Sequence, residues 1–143
     1  ITWVAFTGPS VPDEYARAFA AARDGRDAAV QLVKTAVEEG RDLRGWQVDK
    51  ACRDVIEKAG FGSMFIHRTG HSLGEEVHGN GANIDNLETR DERPIIPRTC
   101  FSVEPGVYLP GQFGVRSELD CYVSENDAAP TGEVQQELVK IVG

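Results

Sequence analysis

A chain of 143 residues with 41% hydrophobic and 27% charged positions has the composition of a folded globular domain with one core, not that of a disordered chain. The formal net charge is −8 and the pI about 4.8, and only four of the fifteen basic residues are lysine, none in a block. This argues against a nucleic-acid groove or an anionic membrane surface, both of which need clustered cations, and no apolar run approaches the ~20 residues of a membrane-spanning helix.

Residues 1–7 alternate Ile1, Trp3 and Ala5 against Thr2, Val4 and Phe6, which predicts a strand ending at Gly8-Pro9. The opening lacks the basic and apolar regions of a secretory signal. It also lacks a Met, so translation is not expected to begin at Ile1. Ser10 followed by Asp13 has capping-box spacing, and Pro12 suits a first helical turn. A helix is therefore expected from about Pro12 to Glu39. Its apolar stripe is Tyr15, Phe19, Ala22, Ala29, Val33 and Ala36, interrupted by Arg26 and weakened by Gly25, with Gly40 as the stop. Val48, Ala51, Cys52, Val55, Ile56 and Ala59 form one face of a second helix, which Gly60 ends.

Beyond residue 60 the periodicity changes. "SMFIH", 63–67, reads as a short strand, and residues 80–98 as a long loop rich in turn and charged residues. Two longer strands follow. In residues 99–108, Phe101, Val103 and Val107 share one face and Cys100, Ser102, Glu104 and Tyr108 the other. In residues 114–123, Val115, Ser117, Leu119, Cys121 and Val123 oppose Arg116, Glu118, Asp120 and Tyr122. Each strand thus has an apolar back that can pack on helices and a polar front that carries a carboxylate. The tail, 131–143, is expected to form a short helix. Cys52, Cys100 and Cys121 are odd in number and far apart, with no CxxC, which predicts free thiols in a reducing cytoplasm.

The segment "HRTGHSLGEEVHG", 67–79, holds all three histidines: His67, His71 and His78. Each alone has an ordinary explanation, as does each carboxylate: a hydrogen-bonded turn histidine, a packed strand-end histidine, a solvated strand-end glutamate. Together they are harder to dismiss. The polar fronts carry Glu, Arg, Asp, Tyr, Ser and Cys but no Lys. His71 with Glu104 and Glu118 makes a set of one imidazole and two carboxylates, suited to Mn²⁺, Co²⁺ or Zn²⁺. Bridging carboxylates can hold two ions ~3.5–4 Å apart and so activate water near neutral pH. Arg116, on the face of Glu118, can orient a carboxylate or bind substrate, or can be a surface ion pair of little energetic weight. His78 can serve as hydrogen-bond donor or proton shuttle, and His67 can shape the pocket or simply pack.

Three stretches, "TGHSLG…VH" at 69–78, "SVEPGVY" at 102–108 and "GVRSELD" at 114–120, resemble in order and spacing the pita-bread metallopeptidases. They are most similar to the proline-specific branch, the Xaa-Pro dipeptidases (prolidases) and Xaa-Pro aminopeptidases. "ITWVAFTG" is similar to the segment that follows a metal-binding aspartate in that branch. The resemblance runs the length of the chain. It implies an α+β partial pita-bread fold, an antiparallel curved sheet with helices on its outer face, in which residues 1–143 are the C-terminal portion of a catalytic domain.

The resemblance further implies a role for each site residue. His71 and Glu104 are ligands of one ion, Glu118 bridges two, and Glu104 also relays a proton. His78 contacts substrate and steadies the tetrahedral intermediate, His67 is a further active-site histidine, and Arg116 lies beside the bridging glutamate. Arg90 falls where prolidases grip the substrate's C-terminal carboxylate. The implied cofactor is a pair of divalent ions, Mn first, with Co or Zn also suited. The implied substrate is a proline-containing dipeptide or peptide, and the implied setting a cytoplasmic homodimer without nucleic-acid or membrane partners.

The family site also uses two aspartates. One is expected immediately before Ile1 and the other further upstream. Asp13 and Asp120 are not expected to replace them. The chain is therefore expected to be a piece of a longer enzyme, inactive alone. The alternatives are an aminopeptidase acting on longer peptides, or a non-catalytic binding protein of the same fold. Retention of His71, Glu104 and Glu118 argues against the latter.

Overall fold

The computed structural model describes residues 1–141. In chain order the elements are β1 (Ala5–Thr7), α1 (Asp13–Glu38), α2 (Gly45–Lys58), a single 3₁₀ turn (Gly62–Met64), β2 (Ser72–Leu73), β3 (Thr99–Val103), β4 (Gly106–Leu109), β5 (Phe113–Arg116), β6 (Leu119–Val123), β7 (Ala128–Pro130) and β8 (Val139–Ile141).

The stripe on α1 is buried as its period predicts, through Phe19, Ala22, Ala29, Val33 and Ala36. The two apparent flaws in it are structural devices. Arg26 is fully buried, and its Nη1 donates to Ser117 Oγ at 2.6 Å and to the Gln135 carbonyl at 2.8 Å. Asp27 supplies the counter-charge at 2.7 Å. A buried cation is tolerable only when paired and hydrogen-bonded in this way. Gly25 lies where the two helices cross. A Cβ there would come within 3.0 Å of Ile56 Cγ1 and 3.1 Å of the Cys52 carbonyl. Gly25 therefore permits the close approach of α2. The expected Ser10–Asp13 cap is absent, because the helix starts after Pro12 with no side-chain cap. Gly40 does stop the helix: its N–H bonds the Val37 carbonyl and that of Arg41 the Ala36 carbonyl. Gly60 and Phe61 end α2 in the same manner, through Glu57 and Ile56. Ala59, placed on the apolar face by periodicity, is exposed at that end.

"SMFIH" is not a strand. It is the 3₁₀ turn followed by extended chain, and Arg53 of α2 occupies the carbonyls that a neighbouring strand would use. Its guanidinium donates to Phe65 O at 3.0 Å and to His67 O at 2.9 Å. Residues 80–98 form the expected loop. Its turns are fixed by two buried carboxylates, Asp85 accepting the N–H groups of Leu87, Glu88 and Thr89, and Asp91 those of Asn83 and Arg93.

The two long strands of the sequence reading are each broken in two. β3 pairs with β6 and β4 with β5, all antiparallel, and the breaks fall opposite one another at Glu104-Pro105 and Ser117-Glu118. Pro105 has no N–H for the ladder, and its carbonyl accepts the Ser117 N–H at 3.2 Å. The carboxylates of Glu104 and Glu118 thus sit where the backbone leaves regular pairing. The main sheet runs β2-β3-β6-β7. Phe101, Val103, Leu119, Cys121 and Val123 of this sheet and Val107 and Val115 of the β4-β5 pair are buried in one core with α1, as alternation predicts, and α2 packs on α1.

The tail forms no helix over its described residues, and its end, Val139–Ile141, is a strand. β8 pairs in parallel with β1, Ala5 opposite Val139 and Thr7 opposite Ile141. Residues 142–143 of the expected helix lie outside the described residues. The first strand is correspondingly short, since residues 1–4 have no strand partner. Instead the buried Gln135 amide brackets Val4, accepting its N–H at 2.8 Å and donating to its carbonyl at 2.6 Å. The three cysteines are unpaired, and burial pushes the Cys52 and Cys121 thiols up to about 12. Among the described residues no helix is long and apolar enough to cross a membrane.

Candidate functional site

Thr69, Gly70 and His71 run beside the end of β3. Gly70 and Ile84 exchange backbone bonds at 3.1 and 3.0 Å, and a Cβ on Gly70 would lie 1.8 Å from the Ser102 carbonyl. Only glycine permits that approach. It sets His71 against Ser102 and Thr69 against Glu104: Ser102 N–H donates to His71 O at 2.9 Å, and Glu104 N–H to Thr69 O at 2.7 Å. From the helix side, buried Asp49 accepts the Thr69 N–H at 2.8 Å and pairs with Arg53.

The His71 ring lies with Nδ1 3.1 Å from the Ser72 carbonyl. A carbonyl only accepts, so Nδ1 is the donor in this contact. Nε2 faces Glu104 Oε1 at 3.4 Å. Glu104 Oε2 lies 3.5 Å from Arg116, whose guanidinium also approaches Glu118 Oε2 at 3.7 Å. Arg116 donates further to the Thr2 hydroxyl at 3.1 Å, and that hydroxyl donates to Glu118. One cation therefore spans two carboxylates that lie at the broken ends of adjacent strands.

The structure thus brings His71 and Glu104 face to face and joins Glu118 to Glu104 through Arg116. Among the described residues, no three His, Cys, Asp or Glu side chains are gathered around one ion-sized point. The chemistry of the residues nonetheless suits a divalent ion. The His71 ring is oriented by its Nδ1 contact to a carbonyl so that Nε2 faces Glu104, and two carboxylates with little exposure share a positive neighbour.

The remaining predicted residues divide. The exposed His78 ring packs against that of His71, tilted by 44° with centroids 4.3 Å apart. His67 is saturated. Its Nδ1 donates to the Arg68 carbonyl at 2.7 Å, and its Nε2 therefore accepts the Tyr108 hydroxyl at 2.8 Å. Its link to the cluster runs through Tyr108, whose phenol is pushed up by burial and by the charges of Glu104 and Glu118, against the opposing pull of Arg116. Tyr108 stays protonated and can donate. Arg90 lies over the Trp46 ring at 4.0 Å and pairs with Glu92 at 2.7 Å, with no contact to the cluster. Asp13 is exposed in the first turn of α1, and Asp120 is paired across from Ser102. Three participants escaped the sequence reading: Tyr108, Ser102 and Thr2. Two of them, Ser102 and Tyr108, shared a predicted face with Glu104, which was the available signal. Beside them a cleft of about 420 Å³ is lined by Thr2, Trp3, Tyr108, Gly114 and Arg116, among others.

The profile of metallopeptidase family M24 matches residues 1–125. Among curated proteins, the chain is 34% identical over 139 residues to the Xaa-Pro dipeptidase of Lactobacillus helveticus, covering 97% of this chain and 34% of that one. Among solved structures, dipeptidase PepE from Mycobacterium ulcerans aligns with a TM-score of 0.81 at 33% identity, covering 98% of this chain and 34% of that one. A prolidase from Thermococcus sibiricus aligns with a TM-score of 0.81 at 29% identity, covering 96% and 34%. The chain spans about a third of the length of these relatives. The expected α+β pita-bread architecture is borne out by these matches, as two helices, two antiparallel sheets and the parallel β1-β8 pair, with no closed barrel among the described residues.

Proposed function

We propose, from the premise that this chain belongs to metallopeptidase family M24, that the full-length protein is a metal-dependent peptidase that hydrolyses Xaa–Pro dipeptides. The chain is then the C-terminal portion of its catalytic domain. The observation that carries this reading is the opposition of His71 Nε2 and Glu104 Oε1 at 3.4 Å, with Glu118 tied to Glu104 by Arg116. Its relatives, an Xaa-Pro dipeptidase and a prolidase among them, supply the substrate class.

His71, Glu104 and Glu118 would hold a divalent pair, with two aspartates upstream of Ile1 completing the set. Manganese is the first candidate, with cobalt or zinc as substitutes. When bound, such a pair supplies Lewis acidity, polarising the carbonyl and lowering the pKa of water. The residues of this chain do the rest. Water adds across the Xaa–Pro bond, its oxygen to the carbonyl carbon and its proton, relayed by Glu104, to the proline nitrogen as the bond breaks. His78, packed against His71, donates a hydrogen bond to the tetrahedral oxygen. Arg116 holds the two carboxylates in register. His67 and Tyr108 form the wall beside them, and Arg90 would bind the substrate's C-terminal carboxylate on exchanging its exposed Glu92 partner for it. The cytoplasm and a homodimeric state belong to the same proposal.

The test is hydrolysis by the full-length protein of Ala-Pro, of a longer peptide beginning Xaa-Pro, and of Ala-Ala, each with Mn²⁺ and with a chelator. Chelator-sensitive cleavage of Ala-Pro alone supports the reading. Cleavage of only the longer peptide would make the protein an aminopeptidase, and no cleavage at all would favour a binding role.

A further inference from the structure

One hydroxyl touches two of the candidate ligand residues, His71 and Glu104. Ser102, at 1% exposure on β3, accepts the His71 backbone N–H at 3.0 Å through its Oγ. An N–H can only donate, so the hydroxyl hydrogen of Ser102 is left free, and it goes to Glu104 Oε1 at 3.0 Å. Oε1 is the same oxygen that faces His71 Nε2. The backbone N–H of Ser102 in turn donates to the His71 carbonyl. Asp120, the residue opposite Ser102 in the ladder, makes neither bond.

We propose that Ser102 is a positioning residue: its hydroxyl locks the His71 main chain and the Glu104 carboxyl into one arrangement suited to receiving a divalent ion. The inference rests on the metallopeptidase reading above and adds to it the residue that sets the ligand geometry. Without the hydroxyl the Glu104 carboxyl keeps Arg116 beside Oε2 but loses the buried donor that fixes Oε1, and the His71 N–H loses its side-chain acceptor. Removing such an outer partner weakens metal binding by ~10–100-fold.

The experiment titrates Mn²⁺ calorimetrically into metal-stripped full-length protein, with the melting temperature of each metal-free variant recorded alongside. Ser102→Ala is expected to raise the Mn²⁺ Kd ~10–100-fold, while Ser102→Thr, which keeps the hydroxyl, stays within about threefold of wild type. Ser102→Cys keeps the volume but donates poorly. It is expected to follow alanine, and it decides the matter if the alanine variant does not fold. Wild-type affinity in Ser102→Ala or Ser102→Cys overturns the inference, as does a threonine variant no better than alanine. Failure of the wild type itself to bind Mn²⁺ overturns the metal reading instead, and the inference with it.

Discussion

His78 and Asp91 illustrate opposite kinds of residue, one open to solvent at the candidate site and one sealed beneath a loop. His78 touches the site only through its ring on His71. If it is an oxyanion donor, His78→Ala in the full-length protein lowers kcat by ~10²–10³ and leaves bound metal unchanged, which paired kinetics and metal analysis check. Equal loss of both would show that it holds the ion. For Asp91, burial pushes the carboxyl up, but donation from the Arg93 side chain and from the Asn83 and Arg93 N–H groups outweighs this and holds it below the usual carboxylate range. A folded pKa below the unfolded one favours the fold above the unfolded value, and that contribution is lost as pH falls through the folded one. Asp91→Asn is therefore expected to destabilise the protein at pH 7 and to flatten its loss of stability below pH ~4. Urea titrations across pH measure both. The site histidines and glutamates were legible because their residue types are rare or face one way in an alternating strand. Ser102 was not, because a serine in a strand carries no chemical signature until its neighbours are placed.

At the scale of elements, α2 holds the histidine segment. Arg53 clamps the carbonyls of Phe65 and His67, and Asp49, fully buried, holds Arg53 and Thr69. Arg53→Met leaves Asp49 buried without its counter-charge and should cost about 3–5 kcal/mol, read from denaturant unfolding. A loss below ~1 kcal/mol would mean that water reaches Asp49. Gly25→Ala sets a helix-propensity gain of ~1 kcal/mol against overpacking of ~1–3 kcal/mol. The Cys52 carbonyl, 3.1 Å from the new methyl, is helix backbone and cannot swing aside. Overpacking wins, and the melting temperature falls. Both helices could be read from their period. The strand breaks at Glu104-Pro105 and Ser117-Glu118 were missed because side-chain alternation continues through them, although Pro105, with no N–H for the ladder, was the available signal. "SMFIH" was misread for a related reason, since its backbone bonds go to a side chain.

Across the whole molecule, the parallel pairing of β1 with β8 brings residues 5–7 against 139–141, and buried Gln135 continues the seam to Val4. A tail that looks helical alone becomes a strand because a partner is waiting more than 130 residues away, which no local pattern encodes. The family was legible for the opposite reason. Its signature lies in a few chemically constrained stretches whose order and spacing survive in one sequence. The central claim is that His71, Glu104 and Glu118 hold metal in the full-length protein, and it is tested most directly by anomalous diffraction at the manganese edge. Crystals grown with Mn²⁺ should show two peaks ~3.5–4 Å apart, one within coordination distance of His71 Nε2 and Glu104 and both within reach of Glu118. Peaks elsewhere, or none at full Mn²⁺ loading, would contradict the account.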